Sequence, residues 1–142
     1  MALHGGCLCG GVRYEINGKL ENAGNCHCSM CRKNSGSAFV AAAQVAAKDF
    51  KWTKGESLLG SYASSPGAKR MFCKNCGSPI AGGAESMKDS LFINLGSLDD
   101  DPGIRPSIHM FVGSKAPWYE ITHELPQFDA FPPTSVVDRH GS

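Results

Sequence analysis

Apolar and polar residues alternate in short stretches along the chain, a pattern typical of strands. Val12, Tyr14 and Ile16 alternate with polar neighbours and predict a strand with one buried face. The same period, or a short apolar run, predicts further strands over residues 37–45, 50–53, 57–62, 69–73, 91–95 and 108–112. Turn signals separate the strands at Asn17-Gly18, Lys54-Gly55, Ser65-Pro66-Gly67, Gly82-Gly83 and Asp101-Pro102-Gly103.

Helical periodicity is nearly absent. Only residues 29–34 predict a short helical turn, which ends near Gly36, although the alanines of residues 37–45 also permit a helix there. Seventeen glycines and eight prolines favour many turns over long helices. The pattern therefore predicts a small, mainly β domain.

Length and charge narrow the class of protein. A chain of 142 residues fits one domain, which we assign to residues 1–130, and the polar, proline-broken residues 131–142 predict a loose tail. Fourteen basic and thirteen acidic side chains leave a net charge of +1. This charge is too small to favour binding to nucleic acid or to an anionic membrane surface. The longest apolar run covers residues 38–47, about half of the roughly 20 residues that a membrane span needs. The N-terminus shows no secretory signal, so a cytoplasmic location is expected.

Seven cysteines give the strongest chemical signal in the chain. Cytosolic thiols stay reduced and an odd number cannot pair completely, so metal binding is favoured over a disulfide framework. The cysteines fall in three groups, which are Cys7 and Cys9, then Cys26, Cys28 and Cys31, then Cys73 and Cys76. A redox role for a Cys-x-x-Cys pair is disfavoured because no βαβ pattern surrounds it.

The seven cysteines divide into a group of four and a group of three. Two pairs, Cys7 with Cys9 and Cys73 with Cys76, supply the four ligands of a closed structural zinc site, and the middle group supplies three ligands with one position open. Zinc is the expected ion because it suits sulfur ligands that need no redox change. Spacing alone also permits a zinc ribbon formed by Cys28, Cys31, Cys73 and Cys76.

The cysteine segments resemble the glutathione-dependent formaldehyde-activating enzyme family. The resemblance is carried by five ordered motifs, which are Gly6-Cys7-Leu8-Cys9-Gly10-Gly11-Val12-Arg13-Tyr14, Cys26-His27-Cys28-Ser29-Met30-Cys31-Arg32-Lys33, Phe72-Cys73-Lys74-Asn75-Cys76-Gly77-Ser78-Pro79, Leu95-Gly96-Ser97-Leu98-Asp99 and Ser114-Lys115-Ala116-Pro117-Trp118-Tyr119. It implies a zinc-containing fold of antiparallel sheets, the β-tent. It also implies a structural zinc on Cys7, Cys9, Cys73 and Cys76 and a catalytic zinc on Cys26, Cys28 and Cys31.

The implied activity is that of a carbon–sulfur lyase acting on S-(hydroxymethyl)glutathione, with two zinc ions per chain and a small thiol and an aldehyde as substrates. Arg32, Lys33 and Lys115 are candidates to pair with the carboxylates of such a thiol, and Trp118 is a candidate pocket wall. The alternative interpretation is that the cations are ordinary surface residues and that Trp118 is a core or rim aromatic.

A non-catalytic zinc module that binds a protein partner is the rival hypothesis. Its second zinc would be closed by a fourth protein ligand, for which His109 is a candidate. The alternating pattern around His109 favours a histidine satisfied within the fold, and His27 is interpreted as a packing residue between two ligands. A nucleic-acid-binding zinc ribbon ranks third because the chain lacks a basic excess.

Overall fold

The computed structural model describes residues 2–133 and forms two β-sheets with one α-helix. The strands are β1 (Leu3–Gly6), β2 (Arg13–Ile16), β3 (Leu20–Cys26), β4 (Val40–Ala46), β5 (Phe50–Lys54), β6 (Leu59–Ser65), β7 (Ala68–Cys73), β8 (Pro79–Ala84), β9 (Ser90–Asn94) and β10 (His109–Met110). The helix α1 covers Ser29–Ser35, and short 3₁₀ turns cover Ala47–Asp49, Glu56–Leu58, Glu85–Met87, Leu95–Ser97 and Val112–Ser114. The expected mainly β fold is confirmed.

The smaller sheet has the strand order β1-β2-β5 and the larger one the order β10-β3-β4-β9-β8-β7-β6. Every pairing is antiparallel except that of β10 with β3, in which His109 lies opposite Asn25. Antiparallel neighbours need only short connections, so tight turns can carry chemistry at the ends of the sheets.

The hydrophobic core joins the two sheets. Tyr14 and Ile16 from the small sheet pack with Ile80 and Ile93 from the large one, and all four side chains are fully buried. Cys7 and Cys73 belong to the same core cluster. Two of the cysteines assigned to the structural zinc are thus packed among the residues that hold the sheets together.

Three strands were not expected from the sequence, and one expected turn is wrong. Leu3–Gly6, Leu20–Cys26 and Pro79–Ala84 are strands, and Gly82 and Gly83 lie inside the last of them rather than in a turn. Gly82 lies between Arg70 and Phe92 in the ladders of β7 and β9, so tertiary pairing overrides the low strand propensity of glycine. The strand expected over 108–112 is reduced to His109–Met110, and the one expected from residue 57 begins at Leu59.

The chain returns after β10 and runs beside it in the parallel direction, with His109 bridged to Gln127. The amide of His109 donates to Pro126 O and the amide of Phe128 donates to His109 O, at 2.8 and 2.9 Å. Phe131 stacks edge-on against Phe111. Residues 134–142 of the expected tail lie outside the described residues, so the tail stays a prediction. Within the described residues, no helix is both long and apolar enough to span a bilayer.

Candidate metal centres

Two hairpin turns bring four cysteines together. The β1–β2 turn carries Cys7 and Cys9, and the β7–β8 turn carries Cys73 and Cys76. Each turn has a glycine at positive φ, Gly10 at +75° and Gly77 at +80°, a conformation in which a side chain is strained. The Gly77 amide donates to Cys73 O at 2.7 Å. The glycines thus fold each turn back so that both of its thiols face the same point.

The sulfur spacing of this group fits a tetrahedral ion. All four Sγ atoms lie within 4.8 Å of one another, with Cys7–Cys9 at 3.6 Å and Cys9–Cys73 at 3.9 Å. A tetrahedron with Zn–S bonds of about 2.3 Å has S–S edges of about 3.8 Å. Four soft sulfurs at this spacing suit zinc.

Neighbouring donors support these sulfurs. The Val12 amide donates to Cys7 Sγ at 3.2 Å, and Asn75 Nδ2 donates to Cys9 Sγ at 3.3 Å. The Ser78 hydroxyl lies 3.2 Å from Cys76 Sγ, and this contact, together with main-chain hydrogen bonds from Cys9 and Ser78, lowers the pKa of Cys76 to about 5. Such N–H···S and O–H···S contacts favour the deprotonated form that binds metal.

The second group forms where β3 passes into α1. Cys26 is the last residue of β3, Cys28 is the N-cap of the helix and Cys31 lies in its first turn. Their Sγ atoms lie within 4.8 Å of one another, and the Cys31 amide donates to Cys28 Sγ at 3.2 Å. Among residues 2–133, no histidine, aspartate, glutamate or further cysteine joins the group as a fourth ligand.

Arg70 approaches this three-cysteine group and was missed in the sequence. Its Nη1 and Nη2 atoms both lie 3.6 Å from Cys31 Sγ. Hydrogen bonding with Cys26, aided by Cys28 and Arg70 against the effect of burial, lowers the pKa of Cys31 to about 5. The same contact with Cys31, together with burial, raises the pKa of Cys26. No motif marks Arg70, because it reaches Cys31 from a strand 39 residues away.

The turn Val112–Ser114 lies against the three-cysteine group. Arg32 Nε donates to Ser114 O at 3.1 Å, and Ser114 Oγ donates to His27 O at 3.3 Å. Arg32, expected as a contact for a carboxylate, therefore also holds this turn in place.

The other candidate substrate residues divide between two places. Lys33 is exposed on α1. Lys115 and Trp118 line a cavity of about 520 Å³ together with Tyr119. The Lys115 amine donates to the main-chain oxygens of Ala116 and Tyr119, and Trp118 is 70% exposed. Trp118 is thus a rim residue of a cavity, and the Lys115 amine caps the turn that follows it.

Three histidines form a hydrogen-bonded chain beside the group. His27 Nε2 lies 2.8 Å from His109 Nδ1, and His109 Nε2 contacts His123 Nε2. His27 and His109 are fully buried, whereas His123 is exposed. Burial, reinforced by the two neighbouring histidines, lowers the pKa of His109 to about 4, so its ring is neutral near pH 7. Both ring nitrogens of His109 are engaged within the fold, as the alternating pattern around it indicated.

The chain is similar in sequence to proteins of a known family. The family model described as glutathione-dependent formaldehyde-activating enzyme matches residues 2–114. An uncharacterized lyase of Schizosaccharomyces pombe is 28% identical over 129 residues, which cover 87% of this chain and 88% of the relative. A Halomonas elongata protein that is named as a glutathione-dependent formaldehyde-activating enzyme is 27% identical over 150 residues. The match covers 99% of this chain and 95% of the relative.

A solved structure is also similar. The crystal structure of a Rhodobacter sphaeroides protein aligns with a TM-score of 0.58 at 28% identity, and the match covers 72% of this chain and 91% of that chain. The similarity therefore extends from sequence to fold.

Proposed function

Because the chain belongs to the glutathione-dependent formaldehyde-activating enzyme family, we propose that it is a zinc-dependent enzyme that forms or breaks an adduct between a small thiol and an aldehyde. The thiol is glutathione-like and the aldehyde is formaldehyde-like. Cys26, Cys28 and Cys31 hold the catalytic zinc, and Cys7, Cys9, Cys73 and Cys76 hold a structural one.

One observation carries this proposal. The three-cysteine group has no fourth side-chain ligand among residues 2–133, whereas the other group is complete with four. Zinc sites that keep three protein ligands and an exchangeable fourth position are typical of catalysis, and closed four-ligand sites are typical of structural roles.

The chemistry follows from the donor set. A zinc ion bound by the three sulfurs would lower the pKa of a thiol that takes the fourth position. In the forward direction a bond forms between the thiol sulfur and the carbonyl carbon, the carbonyl π bond breaks, and the thiol proton ends on the new hydroxyl oxygen. The reverse direction cleaves the carbon–sulfur bond and returns the proton to sulfur, so no electrons leave the reactants.

The chain offers basic groups for the rest of the thiol. Arg32 and Lys33 follow Cys31 on α1, and Lys115 follows the turn that packs against the group. They are the proposed contacts for the carboxylates of a glutathione-like thiol, with Trp118 at the edge of the cavity that Lys115 also lines. The exposed Lys33 has the freest side chain of the three.

Cobalt substitution tests the proposal directly. Both groups are loaded with Co²⁺, and glutathione is titrated in while the sulfur-to-metal charge-transfer band is recorded. We expect the band to grow, since one more thiolate joins the three cysteines, and the apparent affinity to rise with pH until the free thiol is ionised near pH 8.5. The four-cysteine group supplies a constant background.

S-methylglutathione is the matched control because it has the same carboxylates and no free thiol. It should leave the band unchanged. If the cobalt spectrum already shows four protein ligands at both groups and ignores glutathione, the enzyme hypothesis fails. A module that binds a protein partner then becomes the better description.

A further inference from the structure

Arg70 carries a positive charge into the three-cysteine group from a different part of the fold. Both terminal nitrogens of its guanidinium lie 3.6 Å from Cys31 Sγ, so the planar group faces the sulfur with two donors at once. Cys31 itself is almost completely buried. The contact is thus one between a cation and a buried sulfur, away from most solvent screening.

The guanidinium is not used for another purpose within residues 2–133. No ion pair of these residues involves Arg70, whereas Arg13 and Arg105 pair with Asp99 and Asp101. Its Nε atom is buried and has no hydrogen-bond partner. Burying the Arg70 Nε atom without a hydrogen-bond partner costs free energy. The contacts of the two terminal nitrogens with Cys31 Sγ offset this cost.

Strand β7 explains how Arg70 reaches this position. Met71, the next residue, packs on the hydrophobic core, and alternation along a strand turns Arg70 toward the opposite face. Its ladder partner on β8 is Gly82, which has no side chain. The same strand ends at Cys73 of the four-cysteine group. One strand therefore connects the closed metal group with the open one.

The net charge of the site depends on which ligand takes the open position. Three thiolates around a divalent ion have a net charge of −1, and a fourth thiolate makes it −2. At a partly buried site, a cation held close to the sulfurs lowers the cost of that second negative charge. A neutral ligand such as imidazole adds no charge and needs no such compensation.

We propose that Arg70 is a specificity-determining residue that favours an anionic thiolate over a neutral ligand at the open position of the three-cysteine group. This inference rests on the proposed function. Arg70 acts through Cys31, and it is distinct from Arg32, Lys33 and Lys115, which are the candidates for the carboxylates of the substrate.

The test compares two ligands on three variants of the full chain. Arg70→Gln removes the charge, Arg70→Lys keeps the charge but loses the two-pronged contact, and Lys69→Gln removes a charge from the exposed neighbour on the same strand. Each cobalt-loaded protein is titrated with glutathione and, separately, with imidazole. Circular dichroism verifies that each variant is folded.

We expect Arg70→Gln to weaken glutathione binding about tenfold to a hundredfold, the range for a hydrogen bond to a charged group. Its imidazole affinity should stay within about fivefold, and Lys69→Gln should change neither affinity by more than that. Arg70→Lys should fall between the wild type and Arg70→Gln. A merely structural role for Arg70 would weaken both ligands together, and that result would overturn the proposal.

Two further results separate the failure of this inference from failure of the proposed function. If the wild-type cobalt protein ignores glutathione, the proposed function fails, and Arg70 is then judged by zinc affinity in competition with a chelator. Weaker zinc binding at the three-cysteine group in Arg70→Gln, but not in Lys69→Gln, supports charge compensation, and equal affinities overturn it. If Arg70→Gln does not fold, the affinities for glutathione and imidazole are compared in Arg70→Lys instead.

Discussion

Replacing one cysteine in each group should have very different effects on folding. The four-cysteine group joins Cys9 to Cys73, which lie 64 positions apart, so a metal bound there would close a long loop. The three-cysteine group lies within residues 26–31 and closes only a short one. In the chain-entropy treatment of cross-links, the first closure is worth about 4 kcal/mol and the second about 2 kcal/mol.

The surroundings of Cys73 and Cys28, the two cysteines to be replaced, increase this difference in the loss of stability. Cys73 is fully buried in the core, so Cys73→Ser also places a hydroxyl there, at a cost of about 1–3 kcal/mol. Cys28 is half-buried at the N-cap of α1, where its sulfur accepts from the Cys31 amide. Serine is among the best N-cap residues, so Cys28→Ser keeps the start of the helix.

We therefore expect Cys73→Ser to lose about 5–7 kcal/mol, which is comparable to the whole stability of a small domain. It should be insoluble or unfolded. Cys28→Ser should stay folded with about one zinc per chain, and its free energy of unfolding should fall by no more than about 2 kcal/mol. Metal analysis and urea denaturation followed by circular dichroism measure both quantities. Equal unfolding of the two variants would refute the division into a structural and an open site.

Two further predictions test how the turns and the core are built. Tyr14→Phe should lower the unfolding free energy by about 1 kcal/mol, because it removes the buried hydroxyl that lies 2.6 Å from Ser97 Oγ, and urea denaturation measures it. Gly55→Ala should cost more than about 1 kcal/mol, since φ is +74° and the new Cβ would lie 1.8 Å from Gly11 O. Gly36→Ala, at φ +66° in open space, is the matched control and should cost about 1 kcal/mol. Equal thermal shifts in the two glycine variants would contradict the steric explanation.

The sequence was most informative where chemistry and local geometry coincide. The sequence divided the cysteines into four and three, as the clusters of the structure do. Within each segment the cysteines are close neighbours in the chain, so local geometry brings their sulfurs together, and the fold then joins the two hairpin turns. The expected helical turn at residues 29–34 is present as α1, with Gly36 at its C-cap. Two-residue alternation likewise identified β2 and β5.

Long-range effects were the ones that local patterns could not reveal. Strand β3 has no regular alternation because Asn22, at φ +51°, interrupts it, and its pairing with β4 is what makes it a strand. Strand β8 contains two adjacent glycines and depends on its neighbours β7 and β9. Arg70 reaches Cys31, and His123 reaches His109, only through the tertiary fold. No sequence spacing relates either residue to Cys31 or His27.

The two cysteine groups differ in how the fold holds them, and this difference supports the proposed division of their roles. The four-cysteine group lies on two hairpin turns whose buried cysteines belong to the core, so any change in its coordination would disturb both sheets. The three-cysteine group lies on one strand end and one short helix, and its supports are a polar turn, a chain of histidines and one guanidinium. Exchange of a fourth ligand there need not move a core residue. These differences support the proposal that ligand exchange occurs at the three-cysteine group, where a rearrangement would disturb the core least. Strand β7 carries both Arg70, beside this group, and Cys73 of the four-cysteine group.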